Sequence, residues 1–412
     1  MSFIIGVFVF IVLICISISL HEFGHFFFAK KFNAYISEYM VGFGKVLLSK
    51  KKGETTYGIK AILLGGYVKI LGMFAPGKAD RKIYDKKGRI TLAEQARIAS
   101  LEELPKDHTH RAFYRLSVPK KIIVLIAGPM MNLFLCILSV VVAVNIIGIK
   151  QPSTVVDNVH KCIVTNSKNT DSNNCENKSP AYLAGIKSGD KILSVDNHLV
   201  KSWSDLSNSI ARDKAKVTEI EVERKGKKLR YNLSPMKVGT SYKIGVSPRF
   251  ETQRLDLLHS GEVIADMAKQ TFQIVMRLPL AVYETGKDWY EGNKRSPNSV
   301  TSIIGVAKLS GDIAKVDVPF NEKVVANLML FASLNMALFI FNLLPFTPLD
   351  GGHILTCVWE AIMRLYYKYR YNKEFGYVDN AKMMPLTYIV VGLLGAMTIF
   401  LMIVDIFNPL SI

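Results

Sequence analysis

Charge is scarce in this sequence, and negative charge is scarcer still. Only 21% of the 412 residues are charged, with 34 Asp and Glu against 52 Lys and Arg, while 50% are hydrophobic. That balance excludes a disordered chain, and no internal repeat or low-complexity segment is present. Cysteines number only five. Cys15, Cys136 and Cys357 lie in or beside apolar runs, where a small apolar filler is the plain reading. A recognisable nucleic-acid module is also missing, so the net charge of +18 does not point to nucleic acid. At 412 residues the chain exceeds what one core usually supports, so more than one structural unit is expected.

Charge is absent altogether from Phe3–Leu20, Ile122–Ile149 and Val324–Pro345, and Leu386–Phe407 holds only Asp405. At about 1.5 Å per residue, each run suffices for a helix across roughly 30 Å of hydrocarbon. The first run lacks the basic start and small-residue cleavage site of a secretory signal. The expected fold is a polytopic α-helical membrane protein, with a cytoplasmic β-sheet and an extracytoplasmic α/β domain.

Residues 29–121 carry 20 Lys and Arg against 8 Asp and Glu. Lys30-Lys31 and Lys120-Lys121 flank the first two runs. The positive-inside rule places this segment in the cytoplasm, with anionic lipid as the partner of its basic side chains. Both termini and the segment 150–322 are then extracytoplasmic. The expected order is a first transmembrane helix over 1–30, a β region over 31–75 and a cytoplasmic loop over 76–121. A second transmembrane helix over 122–149 precedes an extracytoplasmic domain over 152–248 and a helical or interfacial region over 249–322. A third transmembrane helix covers 323–352, a cytoplasmic loop 353–383 and a fourth transmembrane helix 384–408.

In the β region, Ile36–Ser49 and Thr55–Leu71 read as strands joined by a turn at Lys50–Glu54. Gly42, Gly44, Gly65 and Gly66 punctuate them, suggesting bulges or the close approach of another chain. In 152–248, the stretch Pro180–Asp190 leads into a strand at Lys191–Val195, a turn at Asp196-Asn197, a helix over Ser204–Lys214 and two alternating strands. This pattern resembles a bacterial PDZ domain, which implies a groove that takes a peptide as an added strand. Cys162 and Cys175 lie in a polar part of the same segment. A disulfide between them, stabilising by roughly 3 kcal/mol, stands against two free thiols.

His21-Glu22-Phe23-Gly24-His25 is an HExxH motif. On a helix, residues four apart share a face, so His21 and His25 can hold one metal, with Glu22 placed to take a proton from water. Chance produces HExxH in some chains, but ionisable groups at membrane depth cost about 2.5 kcal/mol or more each when idle. Phe26–Lys30 offers no third ligand. The candidate lies in Asn342-Leu-Leu-Pro345-Phe-Thr-Pro348-Leu349-Asp350-Gly351-Gly352-His353, where Asp350 falls near the same membrane face as His25. Pro345 and Pro348 break the helix and free backbone groups, as tolerated beside a cavity. His353 reads as a solvated residue at a helix start, and five further histidines as solvated.

Together these residues resemble the site-2 protease family of intramembrane zinc metalloproteases, most closely its actinobacterial regulatory branch. The resemblance spans nearly the whole chain, including Gly128-Pro129-Met-Met-Asn132 in the second run. It implies one Zn²⁺ on His21, His25 and Asp350, and Glu22 as general base. It also implies that the β region is a membrane-associated sheet, and that Asn342 and Pro345 bind substrate together with its strand edge at Leu63–Tyr67, containing Gly65 and Gly66. The implied setting is a bacterial plasma membrane. The implied substrates are single-pass membrane proteins, of anti-sigma-factor or signal-peptide type, first cut by a site-1-type protease. A transmembrane helix hides its peptide bonds and must unwind to be cut, so its freed backbone groups need partners. The rival readings are a catalytically idle PDZ receptor and a membrane metal transporter. Intact motif residues argue against the first. A transporter has no need of Glu22 as a base.

Overall fold

A computed structural model describes residues 2–77, 81–163, 178–213, 216–239, 241–293, 295 and 299–408, with only the backbone of Leu63, Leu64 and Asp213. The chain forms two compact units, Met1–Ile147 with Asp256–Ile412, and Gly148–Leu255.

The first unit opens with α1, Ser2–Lys31, which carries no acid in its first turn and ends on Lys30 and Lys31. Basic side chains there complement the partial negative charge of the helix C-terminus. The chain then enters β1, Ile36–Lys52, turns at Gly53-Glu54, and returns as β2, Thr55–Ile70. Both strands bend, so that residues 38–41 are paired on two sides, with 66–69 and with 56–59. The segment 66–70 therefore lies at the outer side of the sheet. Gly42 and Gly44, at φ 92° and 83°, supply the bend. A short helix follows, α2, Leu92–Leu101, capped by Thr91, whose side chain accepts from the Glu94 N–H. Glu94 sits between Arg81 and Arg97, and the Arg81 guanidinium holds its carboxyl down at about 2. Next comes α3, Val118–Val141, with Pro129 inside it, continued by a wider turn over Val142–Ile147.

The second unit is a six-stranded sheet with two helices. In chain order it holds β3 (Ile149–Val159), α4 (Pro180–Ala184), β4 (Lys191–Val195), β5 (His198–Leu199), α5 (Trp203–Asp213), β6 (Thr218–Arg224) and β7 (Lys227–Leu233). The small hairpin β8 (Met236–Val238) and β9 (Ser241–Lys243) precedes β10, Val246–Gln253. The strand order is β10-β3-β4-β6-β7, with β5 on β4. Asp196 and Asn197, both at positive φ, make the tight turn between β4 and β5. Ile192, Val195, Leu206, Ile210, Ile220 and Val222 form the core. Asp190, fully buried, pairs with Arg224 across the sheet. Cys162 pairs with Lys178 through the backbone as an isolated antiparallel β-bridge, whereas Cys175 lies outside the described residues.

The chain re-enters the first unit through α6, Leu257–Met276, and α7, Leu278–Tyr290, separated at Arg277 where Pro279 withholds an N–H. Then come α8, Ile303–Lys315, and α9, Phe320–Asn342. The segment expected as a third transmembrane helix over 323–352 is broken: α9 stops at Asn342, and a turn over 343–349 separates it from α10, Asp350–Tyr371. The expected loop over 353–383 is thus largely helical. Its polarity suggested a loop, but Cys357 and Glu360 form one buried face. Glu360 pairs there with Lys121 of α3, both nearly buried, and also with Arg364. The last helix is α11, Met384–Phe407.

Among the described residues, four helical stretches, Ser2–Lys31, Val118–Ile147, Phe320–Asn342 and Asn380–Phe407, are long and apolar enough to cross a membrane. The lone acid of the last, Asp405, is buried against Arg295 and accepts from the Ser302 N–H at 2.6 Å. An ion pair explains a charge that the sequence left isolated.

Candidate metal centre

The centre is built where α1 and α3 touch. Gly24 makes this possible, because a Cβ there would strike the carbonyl of Ala127. Gly128 does the same for His25, since a Cβ at this glycine would overlap the imidazole Nε2. Around them pack Ala29, Ile36, Phe113, Val124, Leu125 and Cys357. His25 is thereby held with Nδ1 at 2.8 Å from the Val124 carbonyl. A carbonyl only accepts, so Nδ1 carries the proton and Nε2 keeps its lone pair.

That lone pair faces two others. His25 Nε2 lies 3.2 Å from His21 Nε2, and Asp350 Oδ2 lies 3.4 Å from each. Donors about 2.0–2.1 Å from a tetrahedral zinc stand about 3.3 Å apart, so this spacing fits one such ion. His21, His25 and Asp350 form the one cluster of this kind among the described residues. Asp350 owes its position to Gly351 and Gly352. A Cβ on Gly351 would strike the carbonyls of Leu343 and Leu344, and one on Gly352 would strike the backbone at Phe346-Thr347. The turn after α9 is folded onto the start of α10 and leaves room only for glycine.

Glu22 lies beside this cluster but supplies none of its converging atoms. Strand β2 closes over it: a Cβ on Gly66 would come within 3.4 Å of Glu22 Cγ. Gly65, at φ 145°, brings its backbone against the Phe43 ring. The sheet is tied to α1 by Tyr39, whose hydroxyl donates to the Ser19 carbonyl at 2.7 Å. Asn342 is the last residue of α9 and Pro345 sits exposed in the following turn. His353, expected to be solvated, is half-buried within the first turn of α10. The structure thus brings together His21, Glu22, His25, Asp350 and Gly66. Cys162 belongs to the other unit.

Gly128 and the Val124 carbonyl were not assigned a role from sequence. A backbone oxygen leaves no mark on composition, but a glycine in an apolar helix does, and it signals close approach. Replacing Gly128 by Ala is expected to displace the His25 ring and weaken metal retention by about 10–100-fold. Metal content of the purified variant, measured against chelator, checks this. Unchanged retention would show that the ring has room to spare.

The model of peptidase family M50 matches residues 9–386. The zinc metalloprotease Rip1 of Mycobacterium tuberculosis is 28% identical over 100% of both chains. Rip1 of Mycolicibacterium smegmatis is also 28% identical over 100% of both. A putative zinc metalloprotease of Clostridium acetobutylicum is 27% identical over 84% of each.

Proposed function

Because the chain belongs to peptidase family M50, we propose that it is a zinc-dependent protease cutting peptide bonds within or near membrane spans of single-pass proteins. The observation that carries this reading is the convergence of His21 Nε2, His25 Nε2 and Asp350 Oδ2 beside Glu22, at the end of a helix apolar enough to cross a membrane. Zinc held by these three residues would acidify a water and polarise the scissile carbonyl. Glu22 accepts the proton of the attacking water and returns it to the leaving nitrogen. The Val124 carbonyl keeps His25 in the required tautomer.

A helical substrate cannot present its peptide bond until it unwinds, and its bared N–H and C=O groups then need partners. The outer side of β2 near Gly66 offers them within reach of Glu22. The docking edge is accordingly read as Gly66–Ile70, which overlaps the Leu63–Tyr67 edge that the family resemblance implies. Asn342, at the end of α9, is read as a donor to the substrate backbone or the developing oxyanion, and Pro345 as part of the same cleft. Lys30, Lys31 and Lys120 beside the spans favour a cytoplasmic position for the centre, with both termini and the second unit outside. That unit is read as PDZ-like: α5 beside the sheet supports a groove for peptide termini left by a prior, site-1-type cut. Anti-sigma factors and signal-peptide remnants are the substrate types proposed.

Cys162 and Cys175 are proposed to be bonded on that oxidising side. Alkylation of the native protein is then expected to spare both until a reductant is added. Labelling of both without reductant would refute the bond.

The reading is tested with the full chain in detergent and a tagged, shortened single-span substrate. Cleavage accompanied by about one zinc per chain, lost with chelator and restored by zinc, is the expected result. Zinc transport across a vesicle without cleavage would favour the transporter. Bound zinc with no cleavage across a substrate panel would favour the receptor.

A further inference from the structure

The Nδ1 atom of His21 is buried and has no hydrogen-bond partner among the described residues. The same is true of both Oδ1 and Nδ2 of Asn132 on α3, a residue only 1% exposed. A buried polar group without a partner is unusual, and two on facing helices invite a common explanation.

Helices α1 and α3 run antiparallel. Phe32 lies by Lys120, His25 by Val124 and Gly128, and Gly24 by Ala127. One turn back from His25 on α1 is His21, and one turn on from Gly128 along α3 is Asn132. Residues four apart share a helix face, so the two orphaned side chains lie level at the same seam. We propose that Asn132 is a positioning residue: its Oδ1 accepts the Nδ1 proton of His21 and fixes the tautomer that leaves Nε2 free for the metal. This rests on the zinc reading of the centre.

The same protein shows the arrangement twice elsewhere. Asn335 donates from Nδ2 to the Phe331 carbonyl one turn earlier, at 2.9 Å, and accepts at Oδ1 from Ser17 of α1, at 2.7 Å. Asn327 donates to the Lys323 carbonyl at 2.8 Å and accepts from Ser310 of α8 at 2.6 Å. In both, the amide NH₂ is used within its own helix and the oxygen crosses to a neighbour. Asn132 has the Gly128 carbonyl one turn earlier and His21 across the seam. His25 is already served in this way by the Val124 carbonyl, so Asn132 completes the pair. Burial argues against a substrate contact. The metal-centre side chains are 13% exposed at His21 and 17% at Asp350, while Asn132 is only 1% exposed.

The test measures zinc affinity of the full chain in detergent by chelator competition, with the visible absorption of the cobalt-substituted form as a second readout. N132L removes the acceptor at similar volume, and N132D keeps an acceptor oxygen. N132L is expected to bind zinc about 10–100-fold more weakly and to shift the cobalt bands, while N132D stays near wild type. Wild-type affinity and spectrum in N132L would overturn the role of Asn132. So would equal weakening in N132D with its fold intact, because the oxygen would then not matter. Should N132L fail to fold, the comparison of N132D with wild type decides. A wild type that holds no zinc would instead overturn the metal reading of the centre.

Discussion

Replacing Glu22 by Gln is expected to lower the cleavage rate by at least 10²–10⁴-fold, the range general-base catalysis supplies, with zinc retained. Glutamine matches glutamate in size, so the packing of Gly66 over this side chain is preserved. It cannot take up the proton of the attacking water. Because Glu22 contributes none of the three converging donor atoms, the metal has no reason to leave. A single-span substrate should then remain bound uncut and co-purify. Cleavage rate and zinc content on the same preparation check both halves. A variant that cuts at more than about a tenth of the wild-type rate would remove Glu22 as the base.

The second large effect is on stability. Asp405→Leu is expected to destabilise the chain by about 3–5 kcal/mol, because it strands a buried guanidinium. Arg295 is 0% and Asp405 1% exposed at the side chain, so neither has recourse to solvent. Asp405 also accepts from the Thr301 hydroxyl and the Ser302 N–H, and Arg295 donates to the Val300 and Asn408 carbonyls. The double variant Arg295→Leu/Asp405→Leu should recover most of the loss, since no lone charge remains. It should not recover all of it, since those backbone groups lose their partners. Unfolding of the purified protein in detergent, followed for both singles and the double, measures this. Additive losses in the double would mean that the two residues act separately.

Much of this architecture could be read from the chain in order. Runs with one charge or none mark the four candidate spans, because a helix in hydrocarbon tolerates few charges and needs a minimum length. The strand Lys191–Val195 and the turn at Asp196-Asn197 were legible because alternation and turn chemistry are local. HExxH was legible for the same reason: the helical repeat alone puts His21 and His25 on one face.

Other features were not local. The end of α9 at Asn342 and the fresh start of α10 at Asp350 sit in a stretch where Pro345 and Pro348 signalled a break but not where the chain would resume. The folding of β1 and β2 that leaves Gly66–Ile70 outermost depends on pairing between segments of the same two strands, which alternation does not encode. Asp405 looked like a stray acid because its partner lies 110 residues earlier.

The sequence by itself determined which chemistry was available: two imidazoles one turn apart, a carboxylate beside them, a distant aspartate after a broken helix, and membrane spans to carry them. Tertiary structure alone decided that these groups meet. His25 and Asp350 come from opposite ends of the chain, and their donor atoms must stand within tenths of an ångström of a fixed spacing to share one ion. That precision comes from backbones in contact at Gly24 and Ala127, from the gap that Gly128 leaves for His25, and from the turn pressed onto Gly351 and Gly352. Close approach of this kind is a property of pairs of surfaces, and no single stretch of residues contains it.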